Sequence, residues 1–484
     1  MNKHCNWKRS RFHFTPFLLS IAVFVLLPIA LSIKTNSVAA QSDPISPPTS
    51  QPQAKTLFDQ GIDQYQKQQF PAAIQSWQQA LMLYRQAKDS KGESLTLENL
   101  GLVHQRTGEY NQAVRFFEQQ LALAKQSGDR ASAANALGNL GSNYRILGNY
   151  VKALDYTEQS LKLRQELGDR KGEGQILANL GNLQGDLGKY ETAINLHEQS
   201  LAIAREVGNR QSEVLSLNSL GAFYAAQGTY NKARQSYEQS LNVARELNYR
   251  LAEGSALINL GAILQTQNQS QQAVDYYQQS LTVAEQLNDP RMVSTALAGL
   301  GLGYSRLKNY AKALEYQQKG WELAKKLGDR RLEALALSNL GDTLWQSGKL
   351  AEAESSIQTA LSLLESLRTQ LSDADKVSIF DTQLLNYNIL QQIQIARKQP
   401  EAALETAERS RARAFVELLT RRLTSSRQRK QTPTFSQSDL SPSIQQIRQI
   451  AKDQQAAIVA YSIIPDDRFV AQGKLKGSDL SLFI

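Results

Sequence analysis

The stretch "NLGSNYRILGNYVKALDY", residues 139–156, decides the fold. Leu140, Gly141 and Tyr144 keep helical spacing, Leu147-Gly148-Asn149 breaks it, and Tyr150, Ala153 and Leu154 resume it. The stretch therefore holds the end of one helix, a tight turn and the start of another. Its columns recur along the chain. Gly61, Gly101, Gly141, Gly181, Gly221, Gly261, Gly301 and Gly341 stand forty residues apart. Twelve residues after each comes an alanine: Ala73, Ala113, Ala153, Ala193, Ala233, Ala273, Ala313 and Ala353. Tyr110, Tyr150, Tyr190, Tyr230 and Tyr310 precede their alanines by three, and Leu81, Leu121, Leu161, Leu201, Leu241, Leu281 and Leu361 follow theirs by eight. Each unit thus carries two apolar stripes at helical spacing, and eight helix-turn-helix units follow.

The linking residues agree. In "SGDR" and "LGDR" the glycine can take the left-handed conformation that ends a helix, and the aspartate can accept the orphan N–H groups that open the next. Gly128 with Asp129, Gly168 with Asp169, and Gly328 with Asp329 are expected to serve this way; the rival reading is an exposed acid–base pair for binding. The glycine and alanine columns have a packing reason, since small residues let helices approach closely.

These columns resemble the tetratricopeptide repeat, in which Leu-Gly, Tyr, a Gly-x-Tyr turn, Ala and an aromatic follow in that order. The usual period is about 34, and the extra residues are expected in a longer first helix and the capping loop. Forty-residue units ending in "LAxxLGDR" are similar to those of the Pins and LGN scaffold family. The resemblance covers residues 55–367 and implies an all-α fold: a right-handed superhelical solenoid with a concave groove lined by the first helix of each unit. A partner protein or peptide in that groove is the implied function.

Two residues before the glycine stand Asn99, Asn139, Asn179, Asn259 and Asn339, with Asp59, Ser219 and Gly299 as departures. The resemblance places this position on the concave side, as in the asparagine ladders of importin-α and the O-linked N-acetylglucosamine transferase. A side-chain amide donates and accepts at once, which suits the backbone of an extended peptide; the alternative is that these amides bond neighbouring helices. Arg106, Arg145, Asn182, Asp186, Arg306 and Asp342 vary between units and point to a mixed-charge partner.

Chemistry finds little to work with. The histidines are His4, His13, His104 and His197, and His104 and His197 occupy columns that hold aromatic residues in other units, so both read as packing substitutions. Cys5 is the sole cysteine and precedes the repeats, which leaves no disulfide, thiolate nucleophile or thiolate metal site in the array. "GLGYSR", residues 301–306, follows no strand and belongs to the repeat, so it is no phosphate loop. No cofactor and no metal are expected.

Residues 1–40 carry Lys3, Lys8, Arg9, Arg11 and Lys34, no acid, and an apolar run from Phe17 to Ile33 before "NSVAAQ". That is the layout of a secretory signal peptide cleaved after Ala40; the alternative is an uncleaved membrane anchor. The chain is expected to be exported, periplasmic or extracellular. Loss of those five charges takes the formal net charge from +9 to +4, so basicity is no argument for nucleic acid. Residues 41–54 read as a linker. The remaining positive charge concentrates in residues 397–430.

Beyond 367 the period weakens. Residues 368–423 read as a divergent capping hairpin broken at Lys398-Gln399-Pro400, and "AERSRARAFVELL", 407–419, sets Arg409, Arg411 and Arg413 on its second helix. These three are either a solvated basic face or a dock for an acidic or phosphate-bearing neighbour. Residues 424–443 are a Ser, Gln, Thr and Pro linker. In 444–484 a short helix precedes a β-hairpin, with strands expected near Ala457–Ile464 and Arg468–Leu475. With "ERSRARAFVELL" this resembles the entry into the CHAT domain, a caspase-like module whose His and Cys lie downstream of its opening hairpin. No His follows His197 and no Cys follows Cys5, so no catalytic residue carries over, and the segment reads as the truncated start of an α/β domain. The sequence thus describes an exported, non-catalytic peptide-binding scaffold; the alternative is the sensor arm of a longer peptidase, in contact with its CHAT domain.

Overall fold

The computed structural model describes residues 52–368, 373–410, 460–465 and 477–483; the leader, the linker at 424–443, Arg411 and Arg413 lie outside them. The first helices of the eight hairpins are α1 (Pro52–Gln66), α3 (Ser90–Thr107), α5 (Arg130–Ile146), α7 (Arg170–Asp186), α9 (Arg210–Ala226), α11 (Arg250–Thr266), α13 (Pro290–Arg306) and α15 (Arg330–Gln346). Their partners are α2 (Phe70–Gln86), α4 (Tyr110–Ser127), α6 (Tyr150–Leu167), α8 (Tyr190–Glu206), α10 (Tyr230–Glu246), α12 (Ser270–Gln286), α14 (Tyr310–Lys326) and α16 (Leu350–Arg368). α1 begins at Pro52, inside the stretch expected as linker.

Most of these helices have 17 or 18 residues, and turns of two or three residues join them. The extra length over the ordinary repeat is therefore shared by both helices, not confined to the first helix and the loop. A first helix lengthened alone would carry its apolar stripe past the end of its partner and leave it in water.

The turns close as the sequence foretold. Gly128, Gly168 and Gly328 have φ of 72°, 66° and 65°. Asp129, Asp169 and Asp329 accept hydrogen bonds from the backbone N–H groups of Ser132, Gly172 and Leu332. Where glycine is missing, Gln68, Lys88, Asn248, Asn268, Asn288, Lys308 and Lys398 take the same left-handed conformation, so geometry is conserved at a local cost.

The small columns lie where helices touch. All eight alanines of the column are 0% exposed. Each glycine of the forty-residue column faces the side chain sixteen residues on: Gly61 meets Trp77, Gly101 Phe117, Gly181 His197, Gly221 Tyr237, Gly261 Tyr277 and Gly341 Ile357. The second helix of each hairpin thus sets one side chain onto the glycine of the first, large in all but the third, where Gly141 meets Thr157, and the missing Cβ makes room for it.

The described residues divide into two compact units. One contains 52–300 with 364–368 and 373–382, and within it successive helices pack in chain order, each hairpin on the next. The other contains 301–363, 383–410 and a strand pair. There, Leu340, Leu344, Ile357 and Leu361 share a core with Tyr387, Leu390 and Ile393 of α17 (Asp373–Ala396).

The ninth hairpin is out of phase by ten residues. Its turn residue Lys398 (φ 59°) stands fifty, not forty, after Gly348. Aligned on that turn, Ala403 continues the alanine column, fully buried, at the head of α18 (residues 400–410). Gln391 fills the glycine column, and the large residue normally opposite becomes Ala407, so the knob and its recess have changed sides. α17, with 24 residues, absorbs seven of the ten, and α16, with 19, two more.

β1 (Ala460–Pro465) pairs antiparallel with β2 (Gly477–Phe483), Tyr461 opposite Leu482 and Ile463 opposite Leu480, with a register shift at Ile464/Pro465. The second strand lies beyond the expected Arg468–Leu475: Gly477–Phe483 alternates polar and apolar residues more regularly than 468–475.

Candidate binding surface

The ladder asparagines sit on α3, α5, α7, α11 and α15, and the structure divides them. Asn99, Asn139 and Asn179, on three successive hairpins of one unit, are half-buried with part of each side chain in solvent. Asn259 and Asn339 are 2% and 1% exposed, too deep to meet a partner. Around Asn339 the reason is visible, because Asn386 of α17 donates to Ser338 Oγ at 2.8 Å and the helix covers that face of α15. Accessible rungs therefore lie on hairpins two to four. Arg409 is exposed near the end of the described part of α18.

The charges expected to select a mixed-charge partner are largely spent inside the protein. Arg145 Nη1 donates to Asp186 Oδ2 at 2.7 Å across adjacent hairpins. Lys55 pairs with Asp59 at 2.9 Å, and Asp342 accepts from Gln346 Nε2 at 2.7 Å. Asn182 Oδ1 lies 3.2 Å from His197 Nε2. Arg145 and Asp186 thus spend their charges on each other.

Both histidines serve packing. His197 is the knob over Gly181, is tilted against Phe223, and burial pushes its pKa down to about 3, so it is neutral at pH 7. His104 stacks on Phe116 and contacts Glu109 Oε2 at 2.9 Å. Among the described residues no cluster of three or more His, Cys, Asp or Glu is placed to hold a metal ion.

The arginine that ends "GDR" has a structural task. Arg130 pairs with Glu166, Arg170 with Glu206 and Arg210 with Glu246, each tying the head of a first helix to the tail of its partner. Arg170 and Arg210 also reach Glu173 and Glu213 at 2.5 Å, and Arg205 Nε adds a second bond to Glu213 at 2.8 Å. Burial raises the Glu213 pKa, but the two guanidinium hydrogen bonds outweigh it and hold the carboxyl below its ordinary range.

A serine column escaped the sequence reading. Ser160, Ser240 and Ser280, in the recurrent "EQSL" and "QQSL", donate to the carbonyls of Ala134, Val214 and Gly254 in the partner helix at 2.8, 3.1 and 3.0 Å. Ser200 instead meets Ser216 Oγ at 3.0 Å. Its signal was present, since these serines fall seven residues after the alanine column.

A repeated helical hairpin with recurrent knob-and-recess packing defines a helical-repeat protein. A tetratricopeptide repeat family model matches residues 52–126, 130–206, 212–286 and 292–366, and the chain belongs to that family. It is 36% identical over 124 residues to Tetratricopeptide repeat protein 28 of Homo sapiens, a match that covers 25% of this chain and 5% of that protein's length; the Mus musculus protein matches to the same extent. Among solved structures, the chain is similar to the apo form of the quorum sensor NprR from B. thuringiensis (14% identity, TM-score 0.52, covering 71% of this chain and 97% of that one). It is also similar to a signal transduction ATPase with numerous domains that carries a tetratricopeptide repeat sensor, from Pyrococcus horikoshii (13% identity, TM-score 0.51, 84% of this chain and 65% of that one). These likenesses bear on the fold.

Proposed function

We propose that the protein is an exported, non-catalytic scaffold that holds an extended polypeptide segment against the inner helices of hairpins two to four. The observation that carries this is the run of three half-buried asparagines, Asn99, Asn139 and Asn179, at the same position of three successive hairpins. A primary amide bonds both the N–H and the C=O of a bound backbone, giving affinity without dependence on the ligand's side chains. Asn259 and Asn339 have no part in the contact.

The test uses the full chain, immobilised, against the proteins of the exported fraction. Asn139→Ala with Asn179→Ala is expected to lower capture of the bound partner at least tenfold while far-UV circular dichroism is unchanged. Undiminished capture by the folded double variant refutes the reading. Export has its own check: sequencing of the mature N-terminus is expected to start at Gln41, whereas Met1 would mean a retained anchor.

The strand pair at 460–483 favours a second reading, in which the array is the sensing arm of a longer caspase-like peptidase and the strands open that module. Arg409, Arg411 and Arg413 would then dock against it. A His and a Cys encoded beyond residue 484 would support this reading; their absence from the gene would end it.

A further inference from the structure

Beside the three accessible rungs lies a carboxylate of a different kind. Glu98, adjacent to Asn99 on α3, is half-buried and accepts hydrogen bonds from two neutral amides, Gln120 Nε2 at 3.1 Å on α4 and Asn135 on α5. Two other acids on the first helices have direct cations: Asp59 has Lys55 and Asp186 has Arg145. The guanidinium nearest Glu98 is Arg164, and its donors are turned elsewhere. Arg164 Nη2 donates to Asn135 Oδ1 at 2.8 Å and Nη1 pairs with Asp169, so its charge acts on Glu98 only from a distance. Glu98 is thus an acid held in place by amides, one residue from a rung, with no direct ion pair among the described residues.

We propose that Glu98 is a specificity subsite of the inner face, taking the ammonium or guanidinium group of a lysine or arginine in the bound segment. The inference rests on the peptide-holding reading above and adds to it a side-chain preference that the amide ladder lacks. Three observations support it. The carboxylate is fixed from two neighbouring elements, so a ligand cation meets a preorganised acceptor and little ordering cost remains. Half-burial makes a charge-assisted bond there stronger than at the surface. Asp169, paired with Arg164, offsets part of the repulsion that Arg164 exerts on an incoming cation. Burial also raises the Glu98 pKa, the condition of a carboxylate that gains from an added positive charge.

The experiment uses the full chain and a synthetic library of uncharged extended decapeptides, each scanned at every position with lysine, arginine, citrulline or norleucine. Wild type is expected to prefer lysine or arginine over norleucine and citrulline at least tenfold at one position. Glu98→Gln preserves the size and one acceptor oxygen for the neighbouring amides, and should reduce that preference to under twofold. Its affinity for the unsubstituted peptides and its melting temperature should not fall. A preference that survives Glu98→Gln overturns the subsite, as does its absence from wild type when Asn139→Ala with Asn179→Ala still abolishes binding. If the library binds and the double asparagine variant binds equally well, the groove reading itself fails and the subsite with it; a library that does not bind wild type at all has the same consequence for both.

Discussion

At the residue scale, glycine does two jobs here, and they separate by experiment. A Cβ at Gly221 would lie 2.5 Å from the ring of Tyr237, which is itself buried. Gly221→Ala must displace that ring or part the helices, and is expected to cost about 2–3 kcal/mol in urea-unfolding free energy. Gly128 has open space around its missing Cβ but a φ of 72°, so Gly128→Ala is expected to cost only about 1 kcal/mol, from backbone strain. The converse applies at Lys308, which has the left-handed conformation at φ 59° without being glycine; Lys308→Gly should stabilise by up to about 1 kcal/mol. Equal losses at Gly221 and Gly128 would mean that packing is not what keeps the forty-residue column small. The column, its alanine companion and the turn caps were legible from the sequence because each repeats eight times or nearly so, and repetition separates a constraint from chance. Which rungs of the asparagine ladder reach solvent was not legible, because the same letter at the same phase is half-exposed at Asn139 and sealed at Asn339 beneath an out-of-phase helix.

At the scale of elements, the turns are held by an acid–base belt whose pH response has a definite sign. Glu213 is almost fully buried and its pKa is lowered by Arg205 and Arg210. A carboxyl depressed on folding contributes stability that is present above its unfolded value, about 4.3, and is lost as pH falls through the folded value. Asp129 acts in the same direction, since the N–H groups it caps outweigh its burial and lower its pKa. Thermal stability of the wild type is therefore expected to fall as pH drops below about 4. Glu213→Gln should lose about 1–2 kcal/mol at pH 7 but show a shallower acid limb, so the two melting curves converge at low pH. Parallel curves across pH 3–7 would show that the belt adds nothing through charge. The belt was only half legible: the capping role of Asp in "GDR" follows from local geometry, whereas the partners of Arg170 and Arg210 lie thirty-six residues away, and pairing at that distance needs the hairpin to exist first. The serine column was missed for a related reason, since a small polar residue on a helix looks solvent-facing until its acceptor in the partner helix is known.

At the scale of the molecule, an array in which each hairpin meets mainly its neighbours distributes stability in one dimension. Hairpins one to six lie in one compact unit and pack in chain order, α8 on α9 and α10 on α11 as α9 on α10. Weakening one hairpin should then be felt by its neighbours and fade with distance, rather than lower protection everywhere by the same factor. Gly221→Ala offers the test because its damage is confined to the α9–α10 contact. Native-state hydrogen exchange by mass spectrometry is expected to show amide protection in residues 190–266 falling tenfold or more, which corresponds to about 1.4 kcal/mol at 298 K, while residues 52–107 change less than threefold. A uniform fall from α1 to α12 would mean that the unit unfolds as one cooperative block. The outcome also bears on binding, for a segment laid across Asn99, Asn139 and Asn179 would span hairpins two, three and four, and in a one-dimensional array it would raise protection there first and leave α11 and α12 the least affected.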